Sequence, residues 1–537
     1  MPIEDRIPGD TWTVPLPASR SLFLKPLAGR LLTLLRIPQT SLVPALSPSR
    51  RQDLSPARSP PSRRSLTLST LRILETSGIG FMQNGDTINY LDGQMASLKV
   101  ADGAPKLLID MIVVGGGIGG LATAYALAKS GHRVQVLEKS SGLHQRAGGI
   151  RVPPNMTKIL LAWGLHEMVQ TALRCRKSRF HSLETGMLVG VLEWQEDIMQ
   201  EAGAEFLIMH HNDLQEALYK LAVAAGATVR FRMPVQEVFF DKEKQQPSVV
   251  LQDSTKLTAD VVIGADGSCS QVRKYVAPEV DVGVETNHSF YTVTVPTSEM
   301  QKDPELSEFA SLHEWPIWMG NSRSAFGKST VLSLLRHSEN PQLRHCEQVE
   351  EGWDVTVPTS IINFRGCDPR IQRLFNISDS ALRTKVVHRQ IAEDWLDDSG
   401  SILLVGEAAH PLMPCTMQGP SLAMEDAAVL GKLMSHLSTR EQIPQLLEAF
   451  PEVRHTRCLQ VHGSESRNAM LVTLPPGEDR DRRDAGMSLS LRTDTTWDDT
   501  MLREQWEEIG DVFGYNAHEA AEDWWMKWGA LVRPADY

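Results

Sequence analysis

No stretch of this chain approaches the eighteen or so consecutive apolar residues that a membrane-spanning helix needs, so none is expected. Cysteine is sparse. The six thiols, at Cys175, Cys269, Cys346, Cys367, Cys415 and Cys458, form no C-x-x-C pair and no Cys/His spacing suited to zinc. They read as reduced thiols in a cytoplasmic setting, with no metal site. The body of the chain also lacks a basic stripe, and its net charge of -12 argues against nucleic acid, because neutralising phosphates requires clustered Lys and Arg. Partners are expected to be small molecules. What remains, 42% hydrophobic and 22% charged residues over 537 positions, is ordinary for a globular protein with core enough for two or three domains.

The first ninety or so residues differ from the rest. Residues 1–80 hold ten Arg, one Lys and five acidic side chains, about +6, which leaves about -18 for the remainder. "SPSRRQDLSPARSPPSRRSL" (47–66) has too little apolar surface to offset its ordering entropy, so 1–94 is expected to be a disordered basic extension. An Arg- and Ser-rich, acid-poor leader fits a mitochondrial transit peptide, and a mitochondrial location follows only if the extension is real. The simpler expectation is that translation starts at Met95, just ahead of the first strand.

"KLLIDMIVVGGGIGGLATAYALAKSGHRVQVLEKS" (106–140) reads as strand, glycine turn, helix and strand. The apolar run 107–114 suits a parallel strand buried on both faces. Gly115, Gly117 and Gly120 fit G-x-G-x-x-G: the first for the tight turn, the second for backbone approach to a pyrophosphate, the third for close packing of helix on strand. The helix N-terminus then offers N–H groups and a positive dipole end. Glu138, eighteen residues past Gly120, ends the second strand where an acid accepts bonds from ribose hydroxyls, which favours FAD or NAD over NADP as the resident dinucleotide.

Further strand and helix units do not follow at once. Instead come "QRAGGIRVPPNMTKILLAWGL" (145–165), much later "DVVIGADGSCSQVRKYV" (260–276), then "SILLVGEAAHPLMPCTMQGPSLAMEDAAVL" (401–430). In this order the four stretches resemble the single-component FAD-dependent aromatic hydroxylases, the salicylate hydroxylase and para-hydroxybenzoate hydroxylase group, and most of all fungal salicylate hydroxylase-like monooxygenases. The likeness runs from about 107 to 525 and takes in "FRGCDPRIQRLF" (364–375) and "SESRNAMLVTLPPGEDRDRRDAGM" (464–487).

The resemblance implies an α/β fold with a Rossmann-like FAD-binding domain (106–185, 255–285 and 395–450) interleaved with a mixed β-sheet substrate domain (186–254 and 286–394), then a helical C-terminal segment (451–537). It implies that Gly149 lies against the FAD, that Asp266 and Gly267, backed by Ser270 and Arg273, serve the flavin and the incoming NAD(P)H, and that Pro414 stands beside the reactive flavin edge. Glu407 would meet a ribityl hydroxyl, and Gly419 would open a helix whose dipole faces flavin N1 and O2. His410 reads as a structural turn residue. The implied reaction is reduction of FAD by NADPH or NADH, then O2 transfer through a flavin C4a-hydroperoxide to an aromatic, phenolic or polyketide-like small molecule, in fungal secondary metabolism or aromatic catabolism, by a monomer or homodimer.

Several positions depart from the family pattern. Glu407 replaces the usual Asp and is one methylene longer. Pro420 sits in a helix's first turn, where a missing N–H costs little. His211 stands where relatives carry an arginine touching the cofactor. At Tyr291-Thr292 relatives often have Tyr-Arg, so a cation for a carboxylate or phenolate is absent at Thr292, salicylate is disfavoured, and Tyr291 becomes the expected pocket residue. Residues 315–346 lose the family's Tyr-Pro-Leu strand, by real variation or by a splice error. These departures keep two other readings open: a flavin-fold protein without oxygenase activity, and an FAD-dependent dehydrogenase.

Overall fold

The computed structural model describes residues 107–143, 148–280, 283–311, 314–328, 331–337, 355–414, 416–492 and 509–532, all within one compact unit. The basic segment 1–94 and the start expected at Met95 lie outside the described residues.

Five parallel strands form the first sheet: β1 (Asp110–Val114), β2 (Arg133–Leu137), β3 (Thr228–Arg230), β4 (Val261–Gly264) and β5 (Ile402–Leu404), in the spatial order β5-β4-β1-β2-β3. β4 and β5 are buried at every position, as a parallel sheet covered on both faces requires. Register brings the strand ends together. Val114 pairs with both Leu137 and Gly264, and Gly264 pairs with Leu404, so the central strands end level with one another. The residues after them (Gly115, Glu138, Ala265 and Val405) therefore start four loops along a single edge.

Seven helices matter to the site: α1 (Ile118–Lys129), α2 (Pro154–Ala162), α3 (His211–Ala224), α4 (Gln271–Val276), α5 (Gly419–Met434), α6 (Gln442–Val472) and α7 (Ala517–Val532). α1 and α5 pack through small residues. A Cβ on Gly431 would lie 2.6 Å from the Ala126 Cβ, and the Ser130 hydroxyl donates to the Gly431 carbonyl at 2.9 Å. In α7, Trp525 stacks on His436 at 3.9 Å between centroids and Trp524 donates to Glu452 at 2.8 Å, so both pack on the body while Trp528 stays exposed.

The second large sheet has eight strands in the order Val355–Pro358, Ser380–His388, Val284–Thr294, Val331–His337, Arg323–Lys328, Glu314–Gly320, Lys177–Ser182 and Leu188–Glu193. Val331–His337 pairs with Val284–Thr294 on one side and Arg323–Lys328 on the other. The sheet is thus continuous where the family's Tyr-Pro-Leu is missing. One face packs on a core of its own that includes Trp318, Ile371 and Phe375.

Two boundaries drawn from the sequence need correction. Lys177–Ser182, assigned above to the cofactor domain, lies inside the eight-stranded sheet, and α3 with β3, assigned to the substrate domain, lies against and within the parallel sheet. Short strands pair by register with distant partners, and local composition does not encode that choice.

Candidate active site

The glycine turn after β1 is built from three different constraints. Gly115 has φ +104°, and a Cβ there would lie 2.5 Å from the Ala265 carbonyl oxygen. On Gly120 a Cβ would fall 1.9 Å from the Gly115 carbonyl oxygen, so only glycine lets α1 start this close to the strand. Gly117 is different. Its φ is -74° and no atom lies within 4 Å of a Cβ built there, so nothing within the protein requires glycine at this position. Something outside the chain has to approach the backbone there. Gly117 caps α1 without a side-chain bond, and the first turn has no acid, so the helix N–H groups and dipole face that same space.

Glu138 lies over this turn. Its Oε2 accepts from the Gly116 N–H at 2.6 Å and its Oε1 from the Ser140 N–H at 2.8 Å. Gln215 on α3, which sequence reasoning missed, donates to the Gly116 carbonyl at 2.9 Å. His211 opens that helix with its N–H on the Gly148 carbonyl at 3.1 Å, and Gly149 pairs with His210. Both therefore sit at the junction of α3 and the strand Gly149–Val152.

After β4, Asp266 accepts the Gln271 N–H at 2.7 Å and the Ser270 hydroxyl, and Ser270 in turn accepts the Arg273 N–H at 2.8 Å. The motif thus caps α4. Arg273, fully buried, donates to the carbonyls of Ala408 at 2.8 Å, Ala409 at 3.2 Å and Gln390 at 2.6 Å. Its guanidinium holds the turn that carries Glu407.

In that turn Gly406 has φ +61° and its N–H donates to Asp426 at 2.8 Å. Glu407 Oε1 lies 4.0 Å from where a Gly419 Cβ would stand, so the longer acid reaches towards the start of α5. Pro420 is in the first turn of that helix and Pro414 is buried in the loop before it. His410 is 2% exposed, bonded to Asp426 at 2.6 Å and tilted against Trp395. Burial alone would lower its imidazole, but Cys458 and Asp426 outweigh that and push it up to about 10. Burial would likewise raise Asp426, yet His410 and Arg454 hold it down to about 2. Beside them the fully buried Glu425 meets Arg454 at 2.7 Å, Arg457 at 3.1 Å and the Asn155 amide at 2.7 Å. This charge network, which no sequence motif signals, fastens α5 to α2 and α6.

Residues around these turns fit a dinucleotide. Besides the open glycine at 117, the buried side chains of Gln215 and Gln418 each keep one polar atom, Oε1 and Nε2 respectively, without a partner in the protein. One borders the glycine turn and the other precedes α5.

Across from these turns stands the eight-stranded sheet. Tyr291, expected to line the pocket, is 2% exposed and packs in the core behind the sheet with Val293 and Trp318. Strand alternation then turns Thr292 to the opposite face, in register through Ser333 with Phe326. Phe326 meets Phe290 and Trp315 edge-on, at 6.3 and 6.4 Å between centroids. Arg151, from the strand Gly149–Val152, lies over Trp315 at 5.0 Å and Phe326 at 5.1 Å and donates to the Thr416 carbonyl at 3.0 Å. An aromatic face and a cation thus look towards the loop that leads into α5.

The fold, a parallel sheet with its loops on one edge beside a mixed sheet, is that of a flavoprotein oxidoreductase. An FAD-dependent monooxygenase, OpS4, of Beauveria bassiana (strain ARSEF 2860) is 27% identical over 397 residues, 71% of this chain and 89% of that protein. The 3-hydroxybenzoate 6-hydroxylase of Klebsiella oxytoca is 28% identical over 337 residues, 60% of this chain and 79% of that protein. A salicylate hydroxylase substrate complex has the same fold, with a TM-score of 0.60 at 19% identity over 80% of this chain and 99% of that one. The FAD binding domain model matches residues 109–463; the chain belongs to that family and is an FAD-dependent monooxygenase of the aromatic hydroxylase group. Among the described residues no helix is long and apolar enough to cross a membrane.

Proposed function

We propose that the chain uses NADPH or NADH and O2 to hydroxylate an aromatic, phenolic or polyketide-like small molecule, with FAD lying along the carboxyl edge of the parallel sheet. The observation that carries this reading is Gly117: an open, unstrained glycine at the start of α1, in line with Glu138, Asp266 and Glu407 on one sheet edge. Ligands of open α/β sheets bind at that edge.

In this reading the domain division follows the sheets, with cofactor residues on the parallel sheet and substrate residues on the eight-stranded one. Gly115 and Gly120 shape the turn, Gly117 admits the pyrophosphate to the α1 N–H groups, and Glu138 exchanges the Gly116 N–H for a ribose hydroxyl. Glu407 takes a ribityl hydroxyl, and the α5 start at Gly419 faces the flavin, with Pro420 supplying no donor. Gly149 and His211 border the cofactor, Asp266 the approach of NAD(P)H, and Pro414 the reactive edge. Bound FAD would supply the redox chemistry. The protein's part is to hold the substrate ring between that edge and the sheet face carrying Thr292, and to keep water out of the gap.

Purified protein is expected to be yellow, to release FAD on denaturation, and to consume NADPH or NADH faster when a member of a phenol panel is added. Colourless protein with no releasable FAD would overturn the reading.

A further inference from the structure

We infer that Arg151 sets substrate charge: its guanidinium, with the rings of Trp315 and Phe326, is the receptor for an aromatic substrate bearing a carboxylate or an ionised phenol. This rests on the hydroxylase reading above and adds the charge class of the substrate to it.

Three observations carry it. The sheet position at which the resemblance implies a cation holds Thr292, so the eight-stranded sheet itself brings no positive charge there. Arg151 supplies one from a different element, on the same side of the sheet. Thr292, Ser333 and Phe326 are successive cross-strand partners, so Phe326 lies two strands from Thr292, about 10 Å at ordinary strand spacing. That span is one substituted ring wide.

Guanidinium geometry supports the same assignment. Arg151 meets both rings from above, at 5.0 and 5.1 Å, while its hydrogen bond to Thr416 runs to the loop ahead of α5. Stacking engages the face of a guanidinium and leaves its hydrogen bonding in the plane, so a stacked arginine binds planar oxyanions with fixed direction. Its counter-charge in the protein is Glu465, which accepts the Met417 N–H at 3.0 Å and whose carboxyl burial pushes up, with Arg151 pulling the other way. A neutralised Glu465 leaves the local field positive. An incoming anion gains from that field, and a neutral phenol does not.

The test uses the FAD-loaded full chain and flavin difference absorbance, titrating matched pairs: salicylate, 3- and 4-hydroxybenzoate and 3-hydroxy-2-naphthoate, each against its primary amide. At least one acid is expected to bind tenfold or more tightly than its amide, and Arg151→Gln to remove that preference while leaving amide affinity and FAD content unchanged. Arg151→Lys should restore part of the preference. No acid preferred over its amide in the native chain, or a preference that survives Arg151→Gln, overturns the inference. A merely structural role would weaken acid and amide alike, which also overturns it. Failure of the hydroxylase reading is a separate result, namely protein without FAD.

Discussion

Arg273 and Ala408 are joined by a 2.8 Å hydrogen bond between two loops that are 135 residues apart in sequence. Through it the turn after β4 holds the turn after β5, so the shape of the Glu407 segment depends on a cation from another motif. Both groups are buried, and three carbonyls share the one guanidinium.

Arg273→Met should therefore leave those carbonyls without donors and cost about 3 kcal/mol or more of stability. Urea unfolding measures the loss, and gel filtration followed by FAD assay should show the cofactor released. Unchanged stability would mean that water replaces the guanidinium at no cost.

The glycines of the first turn separate folding from binding. Gly120→Ala drives a methyl group into the Gly115 carbonyl and should destabilise the chain by about 3 kcal/mol or more. Gly117→Ala meets no atom and suits its φ, so apoprotein stability should stay within about 1 kcal/mol while FAD affinity falls tenfold or more. Thermal melts of apoprotein with and without added FAD distinguish the two.

The His410–Asp426 pair gives stability a defined dependence on pH. Asp426, lowered to about 2, contributes above its unfolded value near 3.9 and loses that contribution as pH falls towards 2. His410, raised to about 10, contributes fully below its unfolded value near 6.5 and loses it as pH climbs from there to about 10. Stability should be greatest between roughly pH 4 and 6.5, and His410→Gln should flatten the alkaline limb. Denaturant melts at pH 5, 7 and 9 check this; equal alkaline slopes in both proteins would contradict it.

What could be read from the sequence was local. The strand, glycine turn, helix and second strand at 106–140 announce themselves because each glycine's task is set by neighbours a few residues away. Tyr291 and Thr292 were not separable in that way. Alternation puts them on opposite faces, but Phe290, Tyr291 and Val293 are all apolar in a strand buried on both sides, so only the tertiary structure says which face meets the cofactor. Glu425, Asp426, Arg454 and Arg457 were passed over for a related reason. Charged residues on helices usually face water, and nothing in the sequence signals that partners about 30 residues apart meet in a fully buried network.

Glu407 is the departure whose effect is easiest to isolate. Its carboxylate reaches towards Gly419, so the turn accommodates the extra methylene without a break in α5. Glu407→Asp restores the family's acid and should retain FAD at least as tightly as the native chain, measured by fluorescence titration of apoprotein. Clearly weaker retention would show that the pocket is built around the longer side chain.

The central claim is insertion of oxygen from O2 into an aromatic substrate, and the most direct measurement is turnover of the FAD-loaded chain under 18O2 with NADPH or NADH and an aromatic panel, read by mass spectrometry. The expected result is a product carrying one 18O atom. FAD-loaded enzyme that oxidises NAD(P)H or substrate across the whole panel with no 18O in any organic product would contradict it.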